Sequence, residues 1–551
     1  MSADPASVMK LWCTRAAADD SGLLDTMAER SVPTDGDASR AHDSQGPDVR
    51  DADSAVPDAV VADAAVRNRA ATACIHVDPS RRRQRIDGFG ASITEACAWL
   101  WSNRVRDREG MIRAVFDPHD GIGLSLLRQP IGPSDHVTAP YRFLRRLPDR
   151  RLHSLDFGEE DRRILPMVLA AARAVAGGDT GRMAAGVAPV FESAEGERGH
   201  GPHPTESSPA EPRLTEPRPT HQRLRIIASA WSAPWWMKTN GSVLGQWRAW
   251  PHVQGYLRRS CYDAYARYLT AFCVHYRDCG LDVFGLTPVN EPDNAQSIWP
   301  SMAMTPAQQA RFVSRYLAPR LREANLDGIR VMGWDHNYAT PRYPDGGFVR
   351  SLYADERAKA ALAGSAWHYY GGDPATMTAI HRYWPDHGIW VTEASGGEWG
   401  PKLWRDALLT MGRRIVAMLN HWAQAVILWN VALDERGGPD YYYRNSAEGH
   451  SLNRGLLTVL DDGTWRANAD YYALGHCSRF VPAGSFVVET RDDDREGVPP
   501  HVAFVTPTDR RVLVMVNDRA GARDVVVEEA GRRWVVNLPP YSLSTAVWSG
   551  A

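Results

Sequence analysis

The sequence predicts a (β/α)8 TIM barrel carrying a side antiparallel β-sandwich formed by both chain termini, and three observations predict it. Short apolar runs ending in polar tips recur eight times, at 86–93, 123–131, 224–231, 283–290, 329–335, 365–370, 389–393 and 426–430. Between them lie segments with the apolar period of a helix, at 161–175, 256–276, 306–324, 347–363 and 403–422. Beyond residue 482 the period shortens, with runs at 485–490, 501–506, 511–517, 523–528, 533–538 and 542–548 separated by Asp, Gly and Pro. That is the pattern of a small antiparallel β domain. A doubly wound open sheet would require a Gly-rich phosphate turn after the first strand, and none is present. Polar tips on most strands instead suit a ring whose strands converge on one mouth.

Taken in order, the chain begins with a short apolar strand at 10–14, a candidate partner for the terminal sheet, and a turn at 19–24. From 28 to about 60 it is rich in Asp, Ser, Pro and Gly, with too few large apolar side chains to offset the entropy of ordering. The expected division is therefore 1–27 for the first sandwich strand or strands, 28–74 for a linker, 75–481 for the barrel, and 482–551 for the rest of the sandwich. A low-complexity run at 176–222 interrupts the barrel rhythm while leaving the helix before it and the strand after it intact, so it reads as a flexible insertion. After the eighth barrel strand, Asp461-Asp462-Gly463 marks a hairpin turn, and 468–480 has a helical pattern.

Composition excludes some partners. A chain of 551 residues with 44% hydrophobic content can bury a large core over two domains. A formal charge of -3 gives no global bias toward nucleic acid or an anionic membrane. The seven cysteines are scattered, and Cys273 with Cys279 makes at most half of a metal site, so buried thiols are expected. No basic-then-apolar leader and no long apolar span is seen, which predicts a cytoplasmic protein without stable membrane insertion.

Two strand tips carry the chemistry. Glu291 follows the apolar run 283–290 and Glu393 closes the run 389–393, so a closed barrel aims both carboxyls into one mouth. Breaking a glycosidic bond needs one carboxyl to protonate the leaving oxygen and another to attack or to activate water. A lone Glu after a strand often caps the next helix or pairs with a surface Arg, but the same pattern at two tips favours catalysis. Aromatic and hydrogen-bonding tips surround them: Trp231-Ser-Ala-Pro-Trp-Trp, Trp367-His-Tyr-Tyr and Trp429-Asn430. Flat rings match the C–H faces of sugars, although most Trp residues serve the core. Arg128 is placed to hold a carboxylate ionised, and Asp135 to accept sugar hydroxyls. His336, His368, His381 and His387 fall into no metal-ligand spacing and no phosphate loop is present, so neither metal nor cofactor is expected.

The runs Asp87-Gly-Phe-Gly-Ala-Ser-Ile-Thr-Glu-Ala, Leu-Arg128-Gln-Pro-Ile-Gly-Pro-Ser-Asp135, Ala-Trp231-Ser-Ala-Pro-Trp-Trp, Thr-Pro-Val-Asn290-Glu291-Pro, Trp-His368-Tyr-Tyr370, Thr-Glu393-Ala-Ser and Trp429-Asn-Val-Ala-Leu resemble glycoside hydrolase family 30. The likeness is greatest to its glucosylceramidase-like branch, and Leu11-Trp-Cys-Thr-Arg is similar to that branch's first sandwich strand. The resemblance implies retaining hydrolysis of β-glycosides with Glu291 as acid/base and Glu393 as nucleophile. It also implies that Asn290 bonds the sugar 2-hydroxyl and that Arg128, Asp135, Trp231, His368, Tyr370 and Trp429 line the nonreducing-end pocket. The implied partner is a small β-glycoside or oligosaccharide, and the implied activity an exo-acting β-glucosidase or glucosylceramidase. The alternatives are β-1,6-glucanase, β-xylosidase or β-fucosidase of the same family, or a noncatalytic sugar-binding protein. The 176–222 insertion and the missing secretion signal depart from the pattern, and the latter favours imported small glycosides over ceramide glycolipid.

Overall fold

The computed structural model describes residues 8–16, 23–32, 73–177, 223–247, 250–251, 253–492 and 497–550. Three strands from the amino-terminal part, β1 (Met9–Ala16), β2 (Leu23–Val32) and β3 (Ala73–Arg85), belong to a sheet outside the barrel. The barrel strands follow: β4 (Gly88–Ser92), β5 (Leu126–Ile131), β6 (Arg225–Ala230), β7 (Asp282–Thr287), β8 (Arg330–Asn337), β9 (Gly364–His368) and β10 (Gly388–Glu393). A two-residue strand β11 (Gly396–Gly397) precedes the last barrel strand, β12 (Ala425–Leu428). Short strands β13 (Ala432–Asp434), β14 (Asn453–Arg454), β15 (Leu457–Val459) and β16 (Trp465–Ala467) then brace the loops above it. The chain ends in β17 (Phe486–Asp492), β18 (His501–Val505), β19 (Arg510–Asn517), β20 (Arg523–Glu529), β21 (Arg532–Leu538) and β22 (Ser542–Ser549).

The eight barrel strands are parallel and closed in the order β10-β12-β4-β5-β6-β7-β8-β9. Their interior is a packed plug, with Leu126, Ile227, Phe284, Met332, Ala366, Trp390 and Ile427 meeting on the axis. Close strand approach explains the Gly-Phe-Gly motif of β4. A Cβ on Gly90 would lie 2.3 Å from the Leu126 carbonyl oxygen, so any larger residue there would push β4 off β5. Moving two residues along each strand from the plug reaches Arg128, Ser229, His368 and Thr392, because alternate side chains share a face. The apolar plug thus supports a polar layer at the carboxyl ends.

Nine strands form the side sheet, in the order β2-β1-β22-β19-β18-β17-β3-β20-β21, antiparallel except for the β3–β20 pair. Leu11, Cys13, Ile75, Leu513, Trp534 and Trp548 fill one face. The alternate residues Trp12, Val512, Val514 and Leu543 join the barrel's core instead. The sheet is therefore buried on both sides, against itself and against the helices Trp404–Asn420 and Ala469–Ser478.

Two expectations about the amino-terminal part are corrected. Residues 28–32, assigned to the linker, continue β2, which pairs with β1 across a register running from Met9↔Val32 to Ala16↔Leu23. As an edge strand β2 needs little apolar surface, which is why its sequence gives a weak signal. Residues 75–85, assigned to the barrel, lie in β3 between β17 and β20, and the barrel begins at β4. The rest of the expected linker, residues 33–72, and the insertion beyond residue 177 lie outside the described residues. Among the described residues no helix is long and apolar enough to cross a membrane.

His476 couples the two domains. It sits in the helix Ala469–Ser478, with Nε2 2.9 Å from the Thr14 hydroxyl of β1 and Nδ1 2.8 Å from the Thr545 hydroxyl of β22. Thr545 spends its own proton on the His476 carbonyl, 2.9 Å away, so Nδ1 carries the ring proton and Nε2 accepts from Thr14. Burial, and then Arg479, push this imidazole down to about 3. An unfolded chain takes the proton near pH ~6.5 while the folded one refuses it, so stability is full above that pH and drains away as pH falls toward about 3. We expect His476→Asn to cost about 1–3 kcal/mol at pH 7.5 through the lost clamp. It should also flatten the fall of melting temperature between pH 6.5 and 4, a slope worth up to about 1.4 kcal/mol per pH unit in the parent. Thermal melts across that range check both effects, and an unchanged slope would show that His476 is not the acid-sensitive group.

Candidate active site

The polar layer is organised by Arg128 on β5, a fully buried guanidinium. Its Nη1 donates to Glu393 Oε2 at 2.5 Å, and its Nη2 reaches Asp335 Oδ2 at 3.0 Å, Asn290 Oδ1 at 2.6 Å and Ser229 Oγ at 3.2 Å. Trp231 and Trp429 stack on each other with ring centres 4.9 Å apart, and both carry the guanidinium over their faces at 4.6 and 5.6 Å. Asp335 accepts from the hydroxyls of Ser229, Thr287 and Thr392 at 2.8, 2.6 and 2.7 Å. It also faces His368 Nε2 at 3.1 Å, so a buried carboxylate has a partner on every side.

Glu291, just past the end of β7, and Glu393, the last residue of β10, rise from this floor and are nearly buried, at 8% and 7% exposure. They line one cavity of about 430 Å³ together with Asp135, Trp231, Asn290, Tyr370 and Trp429. Tyr370 donates to Glu393 Oε1 at 3.0 Å, and Asn294 to Glu291 Oε2 at 2.6 Å. Of the nine residues singled out in the sequence, seven line this cavity. Arg128 and His368 lie beneath it and touch the carboxylates from below. A larger cavity, of about 590 Å³, opens at the amino-terminal ends of the strands beside Arg225, Asp282 and Arg330. That is the end where barrels place stability rather than chemistry.

Electrostatics divides the two carboxyls. Burial alone would raise Glu291, but His336 and His368 outweigh it and hold the carboxyl well below the usual range. Burial raises Glu393, and the charges of Glu291 and Asp135 add to it against His368 and Arg128. Burial would lower His368, yet Glu393, Asp335 and Glu291 lift it to about 9. Asp335, buried as well, is kept far below the carboxylate range by Arg128 and His368. Electrostatics thus lowers Glu291 and raises Glu393, the reverse of the order a Glu291 acid requires.

The sequence offered no role for several groups that the fold brings here. Asp335 and His336 form a polar strand tip like Asn290-Glu291, a signal that was present but weaker for lack of a following turn residue. Trp299 and Trp399 reach the cavity wall from irregular loops and Tyr443 from the one-turn helix Tyr441–Arg444, all too short for a periodicity to mark them.

Comparison with known proteins agrees with this architecture. The glycosyl hydrolase family 30 TIM-barrel domain is matched over residues 211–481, and that family's β-sandwich domain over residues 484–546. A putative glucosylceramidase 3 of Caenorhabditis elegans is 26% identical over 499 residues, covering 88% of this chain and 83% of that protein. An endo-1,6-β-D-glucanase of Trichoderma harzianum is 28% identical over 348 residues, covering 61% of this chain and 66% of the other. In fold, a solved endo-β1,6-glucanase superposes with a TM-score of 0.74 at 22% identity, over 98% of this chain and all of its own. With the eight-stranded barrel, the appended sandwich and matches to both domains, the chain belongs to glycoside hydrolase family 30.

Proposed function

We propose that the protein hydrolyses β-glycosides with retention of configuration, by double displacement. The observation that carries this reading is the opposition of Glu291 and Glu393 in one cavity above a shared, fully buried Arg128. Glu393 attacks the anomeric carbon, its charge supported by Arg128 at 2.5 Å and by the Tyr370 hydroxyl at 3.0 Å. Glu291 gives its proton to the leaving oxygen, then takes one from the water that releases the sugar. Two close carboxyls share one proton. The reaction needs that proton on Glu291, and Arg128 supports the charge left on Glu393. Asn290 is held through its amide oxygen by Arg128 at 2.6 Å, which leaves its NH2 to meet a sugar hydroxyl. The stacked Trp231–Trp429 pair offers an apolar wall for a sugar's C–H face.

Within this class we assign an exo-acting β-glucosidase or glucosylceramidase-like activity, supported by the C. elegans relative aligned over most of both chains. An endo-acting β-1,6-glucanase is the second reading, favoured by the names of the T. harzianum relative and of the solved structure of like fold. Aryl β-glucoside, β-xyloside, β-galactoside and β-fucoside, assayed beside a β-1,6-glucan, separate the two. Monosaccharide released from chain ends is expected, whereas oligosaccharides as first products would move the assignment to the endo enzyme.

Glu393→Gln should abolish turnover on every substrate without lowering the melting temperature, and a variant that keeps its activity would remove Glu393 from the nucleophile's role. Glu291→Gln should lose about 10²–10⁴-fold on glycosides with poor leaving groups and far less on activated aryl glycosides, which need no protonation. Added azide should restore that variant's turnover and give the β-glycosyl azide. NMR of the first-formed sugar should show the β anomer, and an α product would replace retention by inversion.

A further inference from the structure

Three possible metal ligands meet at one point of the catalytic cavity although they come from the ends of three different strands. His368 Nδ1 lies 3.0 Å from Glu291 Oε1, His336 Nδ1 lies 3.2 Å from the same oxygen, and the three ligand atoms all fall within 4.8 Å of one another. Zinc bound tetrahedrally at 2.0–2.1 Å separates its ligands by about 3.3 Å, so little movement would be needed. His336 is only 4% exposed, and its Nδ1 meets no partner in hydrogen-bond geometry among the described residues. The far nitrogen of His368 faces Asp335 Oδ1 at 3.1 Å, and Asp335 is itself paired with Arg128. A carboxylate on the distal nitrogen is the arrangement that fixes the tautomer and direction of metal-binding imidazoles. Arg128 is paired with Asp335 and Glu393, and the carboxyls of Glu291 and Asp135 line the same cavity as Glu393, so an incoming cation enters among several carboxylates. Glu291 and His336 both line the cavity, which gives an incoming ion its path. Sequence spacing conceals this group, because a β/α barrel gathers ligands from neighbouring strands and not from one helix.

We propose that Glu291, His336 and His368 bind one Zn²⁺ ion, the proton between His368 Nδ1 and Glu291 leaving to solvent as it binds, and that the ion inhibits hydrolysis by tying up the acid/base carboxylate and filling the leaving group's place. This rests on the reading of Glu291 as the acid/base. Imidazole and carboxylate ligands select zinc over magnesium, so the effect belongs to the softer ion.

The test uses the full chain. Zn²⁺ should inhibit aryl β-glycoside turnover in competition with substrate, while Mg²⁺ at the same concentration does not. His336→Asn should weaken inhibition by about tenfold or more. A second cluster, Cys74, His76 and Glu528 on β3 and β20 of the sandwich, also brings three ligand atoms within 4.8 Å. His76→Asn is therefore the control and should leave inhibition unchanged. Crystals soaked in Zn²⁺ should show an anomalous peak between Glu291, His336 and His368, a result that does not depend on how any variant folds. Inhibition of His336→Asn equal to the parent's, relief by His76→Asn alone, or a peak only at the sandwich cluster would each overturn the proposal. The anomalous peak needs no turnover, so zinc at the trio in a chain that cleaves none of the glycosides would leave the ion site standing and remove the hydrolase reading.

Discussion

Everything in the catalytic mouth depends on one buried ion pair, Arg128 with Asp335. Both side chains are fully buried and lie 3.0 Å apart, in an interior where an unpaired charge would cost several kcal/mol. Neither charge stands alone, since Arg128 also holds Glu393 and Asn290, and Asp335 also holds His368 and three hydroxyls. The pair thereby sets the direction of six groups at once. Loss of Arg128 would take the guanidinium from two carboxylates and an amide, and loss of Asp335 would leave Glu393 as the remaining carboxylate on Arg128 and His368 held through Nδ1 alone. Such a network is costly to half-satisfy, which gives it rigidity rather than great stability.

The backbone is bent to serve the same groups. Glu291, Trp334, Asp335 and Asn430 have φ of 49°, 73°, 67° and 48°, a region that side chains other than glycine rarely occupy. Such residues cost about 1–3 kcal/mol each and persist only where their surroundings determine them. Here the surroundings do. The Glu291 amide donates to the Asp335 carbonyl at 2.9 Å, the Leu456 amide to the Asn430 carbonyl at 3.0 Å, and the Thr94 hydroxyl to Asn430 Oδ1 at 2.8 Å. The irregular register of β8 against β9, between Trp334 and His336, lets consecutive residues serve different layers. Asp335 joins the floor while His336 lines the cavity.

How much of this was legible in the sequence follows from the same physics. An apolar run closed by a polar pair announces a strand tip, so Asn290-Glu291 and Glu393 could be placed before any coordinates were known. Arg128 could be guessed as a partner for a carboxylate, but not its tie to Asp335, which depends on the register between β5 and β8 across the barrel. Trp399 belongs to a loop and Tyr443 to a single helical turn whose placement is set by tertiary contacts, and nothing local distinguishes them from surface aromatics. At the amino terminus the period was too weak in β2, and β3 was assigned to the wrong sheet. A strand's face can be read from alternation, whereas its neighbours are chosen by the whole fold.

The charge balance of the mouth ties the remaining observations together. Four carboxyls, those of Glu291, Glu393, Asp335 and Asp135, stand in or beneath the cavity, where Arg128 pairs with Asp335 and Glu393 and His368, raised to about 9, faces Glu291 and Asp335. The charges of Glu291 and Asp135 add to burial in raising Glu393. A divalent ion seated between Glu291 and the two imidazoles would offset that crowding of carboxylates. In the proposed mechanism a glycoside undergoing cleavage offsets it by a second route, because its anomeric carbon becomes positive while it lies over Glu393. The bound ion is a resting state, whereas this charge exists only at the transition state. A site kept short of positive charge thus favours the reacting sugar over the bound one, and this is the condition for catalysis rather than mere binding.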